Sequence, residues 1–145
     1  MEQRISLITL GVADLVRSRA FYEDGLGWRP GFVDDEIAMY QLNGLVIGLF
    51  GRDALLEDAR IEGAAARAAG PGAVALAYCV RSRAEVERTL DAAARIGATI
   101  LKPGQEVSWG GYSGYFADPD GHPWEVAWNP NWTIAGDGTT AMGGG

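Results

Sequence analysis

Residues 115–128 read Tyr-Phe-Ala-Asp-Pro-Asp-Gly-His-Pro-Trp-Glu-Val-Ala-Trp. Within this stretch Asp118-Pro119-Asp120-Gly121 has the chemistry of a tight turn. Proline fixes φ at the second position, and glycine tolerates a positive φ at the end. Aromatic and β-branched residues on either side make the stretch a hairpin between two strands. The second strand carries a single carboxylate, Glu125, among Trp124, Val126 and Trp128. An ionisable group in so apolar a strand is paired, lines a cleft or meets a ligand.

Upstream of this hairpin, Val74, Leu76, Tyr78 and Val80 alternate with Ala75, Ala77 and Cys79, the period-two pattern of a strand. Ser82-Arg83-Ala84-Glu85 is a capping box that opens a helix through Val86, Leu90 and Ala93, and Gly97 closes it. Thr99–Leu101 is predicted as a short strand. The same order occupies the first half. Ile8, Leu10 and Val12 alternate with Leu7, Thr9 and Gly11, and Asp14 is placed to cap a helix running to about Asp24, ended by Gly25 and Gly27. Ile37–Leu42 and Leu45–Phe50 are two further strands around Asn43-Gly44, the strongest short hairpin signal.

Each half therefore reads strand–helix–strand–strand–strand. The predicted fold class is α+β, with two βαβββ modules forming an open, barrel-like cleft. A sheet covered by one helix leaves its second face bare, and two such faces side by side can form the cleft. The expected organisation is a single domain over residues 1–135, made of a first module (5–50), a charged, Ala-rich helical connector (51–72) and a second module (73–130). A flexible Gly/Thr-rich tail (136–145) follows.

The composition is that of an ordinary globular chain, with 48% hydrophobic and 21% charged residues among 145. A net charge of −7 argues against nucleic acid as a partner, because phosphate binding needs clustered Lys and Arg. No apolar run approaches the roughly 20 residues that span a bilayer, and no signal-peptide pattern opens the chain, so no membrane partner is expected. The lone Cys79 cannot form an internal disulfide and fits a reducing compartment, so a cytoplasmic location is expected.

The motifs Val12-Ala13-Asp14-Leu15, Phe21-Tyr22, Leu26-Gly27-Trp28, Asp118-Pro119-Asp120-Gly121 and Glu125 resemble the vicinal oxygen chelate superfamily. That superfamily holds glyoxalase I, extradiol dioxygenases, methylmalonyl-CoA epimerase, fosfomycin-resistance enzymes and the bleomycin-resistance proteins. The resemblance runs from about residue 5 to 130. It implies paired βαβββ modules, commonly in a homodimer, and in many members a metal held by strand residues facing the cleft. Carried over position by position, those ligands fall on Leu7, Gly48, Ala75 and Glu125, of which only Glu125 can bind a metal. The chain's only histidine, His122, sits in the hairpin turn and reads as a surface turn residue. No metal and no other cofactor is therefore expected, and no catalytic residue is assigned.

The remaining candidates bind rather than react. Trp109, Tyr112 and Tyr115 lie in a glycine-loosened run and are expected to face a common cavity with Glu125. Thr9, Gln41 and Phe50 are expected from the first module, with Gln41 as a polar handle. Cys79 falls on the cleft face by alternation, and Trp128 to Trp132 extend the last strand. Aromatic walls with one carboxylate suit an apolar, aromatic or cationic small molecule. The leading expectation is thus a metal-free small-molecule-binding protein of the glyoxalase/bleomycin-resistance type, a homodimer leaning away from enzyme activity. The alternative is a metal-dependent lyase, isomerase or dioxygenase of the same superfamily with ligands not recognised in the sequence.

Overall fold

The computed structural model describes residues 6–60 and 74–142. The far end of the expected connector, including Gly70-Pro71-Gly72, lies outside the described residues. The chain divides into two compact units, Met1–Ala73 and Val74–Gly145.

The first unit contains β1 (Leu7–Val12), α1 (Leu15–Ala20), a π-helical turn (Phe21–Gly25), β2 (Phe32–Val33), β3 (Ile37–Gln41), β4 (Val46–Gly51) and α2 (Arg52–Asp58). Its sheet has the order β1-β4-β3-β2, with β1 parallel to β4 and the other pairs antiparallel. Asp14 starts α1 as its composition predicts. Its extended backbone leaves the side chain free to accept the N–H of Arg17 at 3.0 Å. The expected helix does not stay α-helical to Asp24. It widens after Ala20, and the Leu26 N–H reaches back to the Phe21 carbonyl, five residues away. The widened turn lets the adjacent rings of Phe21 and Tyr22 both enter the core, at 5% and 0% exposure. It also brings Glu23 to the Tyr40 hydroxyl at 3.0 Å and to Arg19 at 2.8 Å. Gly27 then takes φ +74°, a conformation that glycine adopts without strain.

Register fixes the two faces of this sheet. Leu10 pairs with Leu49, Ala38 with Leu49 and Tyr40 with Ile47, so these residues share a face with Val12, and all of them are buried. Leu7, Thr9, Gly48, Met39 and Phe50 fall on the other face.

The second unit contains β5 (Leu76–Cys79), α3 (Arg83–Arg95), β6 (Thr99–Glu106), β7 (Tyr112–Ala117), β8 (Pro123–Trp128), β9 (Trp132–Ile134) and β10 (Thr140–Met142). The four-stranded sheet runs β5-β8-β7-β6, again with one parallel pair, β5 with β8. The predicted cap at Ser82 forms, with the return bond from Glu85 displaced by one residue. The Ser82 hydroxyl accepts the Glu85 N–H at 3.2 Å, and the Glu85 carboxylate reaches back to the Arg81 N–H at 2.7 Å. From α3, Val86, Leu90 and Ala93 are buried on the sheet face that carries Leu76, Phe116, Trp124 and Val126. Burial of each large aliphatic side chain there contributes about 1.5–3 kcal/mol. The rings of Phe116 and Trp124 stack across β7 and β8 with centroids 6.1 Å apart.

Two sequence expectations change here. The predicted strand Thr99–Leu101 runs on to Glu106, through Pro103-Gly104. It can do so because β6 is an edge strand, where a proline lacking an N–H breaks no ladder on its free side. The pairing with β7 slips on either side of Lys102, as a bulged edge does. The expected tail is paired as far as Met142: β10 folds back on β9 in an antiparallel hairpin of its own, with Gly138 at φ +87° in the turn.

The helix α3 packs closely on its sheet at Gly114. A Cβ there would lie 2.5 Å from Leu90 Cδ1 and 2.9 Å from the Lys102 carbonyl oxygen, which is backbone and cannot swing aside. Gly114→Ala is expected to destabilise the protein by about 1–3 kcal/mol, measured by chemical denaturation. An unchanged midpoint would show that α3 does not sit this close.

Candidate functional site

In each unit the helix takes one face of the sheet, and the opposite face carries the candidate residues. On the first sheet Thr9 pairs with Gly48, and Leu7, Thr9, Gly48 and Phe50 point the same way. A Cβ at Gly48 would find Leu7 Cδ1 and Thr9 Oγ1 at 3.6 Å and Ile37 Cδ1 at 3.8 Å, so the surroundings are mostly aliphatic. The helix α2 leans on this face at Gly11, where the Leu55 side chain approaches. Gln41 shares the parity of Thr9 and Phe50, but its amide is committed to the turn, donating to the Leu42 carbonyl at 2.8 Å and the Leu45 carbonyl at 3.3 Å. Its expected role as a handle for ligand gives way to holding the Asn43-Gly44 hairpin.

On the second sheet Glu125 pairs with Ala77 on one side and Tyr115 on the other, while Ser113 pairs with Ala127 and Cys79 with Ala127. Glu125, Tyr115, Ser113 and Cys79 therefore share the face away from α3. Glu125 and Tyr115 are half-buried, and Ser113 is buried at 1% exposure. Burial pushes the Tyr115 phenol above its ordinary range, and the Glu125 carboxylate adds to the rise through its charge and as a hydrogen-bond acceptor. Burial likewise raises the Cys79 thiol, again with the Glu125 charge contributing, so this cysteine is a poor nucleophile.

Tyr112 does not belong to this face. Three residues from Tyr115 along a strand, it points the other way, pairing with Trp128 on the α3 side. Its hydroxyl meets the Glu87 carboxylate of α3, and the Arg83 guanidinium packs over its ring and over that of Trp128, 5.9 and 5.0 Å from the centroids. Trp109 stands outside the strands, in the turn before β7, at 46% exposure. A Cβ at Gly111 would overlap its indole, and Gly111 is in step with Ser113 and Tyr115 along the chain, so the ring lies over Gly111 on that side of β7.

The sequence reading missed Lys102. Its ammonium donates to the Ser113 hydroxyl at 3.0 Å and stands over the Tyr115 ring, 4.9 Å from the centroid. It brings a positive charge onto the face that carries Glu125. One signal was available: it is the only lysine in the chain. His122 is also more than a surface turn residue. Its ring Nδ1 lies 3.0 Å from Oδ2 of the buried Asp118, whose Oδ1 also accepts the backbone N–H groups of Asp120 and His122. The only imidazole thus ties down the hairpin turn.

The Glyoxalase/Bleomycin resistance protein/Dioxygenase superfamily model matches residues 4–126. The chain belongs to this superfamily. Among solved structures it is similar to a glyoxalase-related enzyme from Fulvimarina pelagi, with 39% identity and a TM-score of 0.88, covering 99% of this chain and 100% of that one. It shares its fold with a glyoxalase/bleomycin resistance protein/dioxygenase from Nocardioides at 23% identity and TM-score 0.72, covering 88% and 84% of the two chains. It also shares the fold with a lactoylglutathione lyase from Agrobacterium tumefaciens at 22% identity and TM-score 0.66, covering 88% and 95%. No curated protein sequence matches the chain. The α+β class with two βαβββ units is the glyoxalase fold.

Many members of the superfamily use a divalent metal, and the donor positions of this chain do not fit one. Leu7 and Gly48 offer no donor, and Ala75 offers none in the second unit, leaving Glu125. Among the described residues no three His, Cys, Asp or Glu side chains group closely enough to hold a metal ion. A transition metal needs three or four such ligands.

The Glu125–Tyr115 contact has a direct readout. Removing the charge with Glu125→Gln is expected to lower the Tyr115 phenol pKa, though burial keeps it above the ordinary range near 10. An NMR titration of ring-labelled tyrosine checks this, with Tyr115→Phe assigning the signal. A phenol that titrates identically in both proteins would separate the two side chains.

Proposed function

We propose that the protein binds a small molecule without a metal, in the manner of the bleomycin-resistance branch of the superfamily, on the Glu125 face of its second sheet. One observation carries the reading: the face keeps Tyr115, Glu125 and Trp109 while the superfamily's other donor positions are Leu7, Gly48 and Ala75. Half-buried groups converging on a sheet face that no helix of their unit covers are what a ligand needs for orientation, and an aromatic ring gives it area to stack on. The sequence leaves apolar, aromatic and cationic ligands open.

Catalysis is the second reading, favoured by the description of the Fulvimarina pelagi relative as an enzyme. In that case Glu125 is the group placed to take a proton from a bound substrate.

Calorimetric titration with Zn²⁺, Ni²⁺ and Mn²⁺ tests the metal-free reading, with no saturable site near one ion per chain expected. A stoichiometric site abolished by Glu125→Ala would sink it and favour a metal-dependent lyase, isomerase or dioxygenase.

The half-exposed indole of Trp109 gives a separate expectation. Trp109→Ala should leave the denaturation midpoint nearly unchanged, because an exposed ring contributes far less than the roughly 3–5 kcal/mol of a core Trp. A loss of that core size would show the ring to be packing rather than wall.

A further inference from the structure

We infer that the ligand of this face is a planar carboxylate, anchored by Lys102, rather than a cation. The inference rests on the ligand-binding reading above and names its chemical class. An ammonium has three donors. One goes to the Ser113 hydroxyl, and the charge is held over the Tyr115 ring. No carboxylate among the described residues pairs with it within 4.0 Å, although the chain has 19 acidic residues against 12 basic ones. In so acidic a chain a lysine at the surface finds an acidic partner readily. Here the side chain is instead folded back over a half-buried tyrosine, with donors left over. The ring and the hydroxyl fix the ammonium in place, and a fixed charge with spare N–H groups is an anion receptor.

The setting of Lys102 supports the same assignment. It lies on the edge strand β6, between the two slips in its pairing with β7, and Pro103-Gly104 follows. The bulged backbone turns the side chain across β7 to the side of the sheet that α3 does not cover. There it stands on the same face as Glu125, with Tyr115 common to both. The matching ligand has a carboxylate for Lys102, a flat body for Tyr115 and Trp109, and a hydroxyl or N–H that the Glu125 carboxylate can accept.

Three probes of one shape and different charge test this: 4-hydroxybenzoate, 4-hydroxybenzyl alcohol and 4-hydroxybenzylamine, each followed by heteronuclear NMR and tryptophan fluorescence. The expected order is carboxylate tightest, by about tenfold or more over the amine, with shifts at Ala77, Ser113, Tyr115 and Ala127 rather than at α3. Lys102→Met should abolish the preference for the carboxylate over the alcohol and the amine, and Lys102→Arg should keep it in part. Glu125→Gln, which removes the opposing charge, should tighten the carboxylate. A preference for the amine or the alcohol, or a carboxylate preference that survives Lys102→Met, overturns the assignment and leaves small-molecule binding standing. If none of the three probes perturbs this face, both readings fall together. Thermal melting of each variant confirms that it is folded before its binding is read.

Discussion

A β-strand sends successive side chains to opposite sides, and in the second unit the helix α3 covers only one of those sides. Everything at the candidate site depends on that constraint. In the second unit, Trp124 and Val126 are taken by the core under α3, so Glu125 between them has to point away from it. The parallel pairing of β5 with β8 puts Cys79 on that same side, and the antiparallel pairing of β7 with β8 adds Ser113 and Tyr115. A slip of one residue in either ladder would turn the carboxylate into the core and the tryptophan out into water, which no packing of α3 could repair. The register that makes the core is therefore also what assembles the polar face.

Where the sequence could be read, it was read through this same parity. Leu7 and Thr9 against Ile8 and Leu10, and Glu125 against Trp124 and Val126, are strict alternations within single strands, and the helix caps at Asp14 and Ser82 are local chemistry. The placement of Tyr112 was legible in principle, since three steps along a strand reverse the face. Grouping Trp109, Tyr112 and Tyr115 as one aromatic run hid that reversal. Lys102 was hidden for a different reason. Pro103-Gly104 reads as the end of a strand, and only the unpaired side of β6 lets the strand continue through it. The widened turn at Phe21–Gly25 and the β9–β10 hairpin depend on tertiary packing and on residues far apart in sequence, which no local pattern reports.

The polar groups of the first unit serve the fold instead. Arg19, Glu23 and Tyr40 form a chain of contacts beside the π-helical turn. The hydrogen bond from Arg19, more than any other influence, holds the Glu23 carboxyl below its usual range, while burial chiefly pushes the Tyr40 phenol far above its own. Glu23 thereby gives stability that is complete above the ordinary carboxylate range and fades as the pH falls through its lowered pKa. The same logic of satisfied partners applies at the hairpin turn, where the buried Asp118 accepts the backbone N–H groups of Asp120 and His122 and meets the His122 ring. Both networks are structural, and they account for ionisable residues that could otherwise be mistaken for chemistry.

Gly48 bears on what its sheet face can hold. It is buried in β4, yet a methyl added there would meet its neighbours at 3.6–3.8 Å, ordinary contact distances. Folding neither fills this seat nor forbids it. A β-carbon alone fits there, whereas a carboxylate or imidazole set on it would be buried and would need a partner to offset its desolvation. The position therefore admits a donor only together with what that donor holds, which ties any metal on this sheet face to further donors appearing beside it.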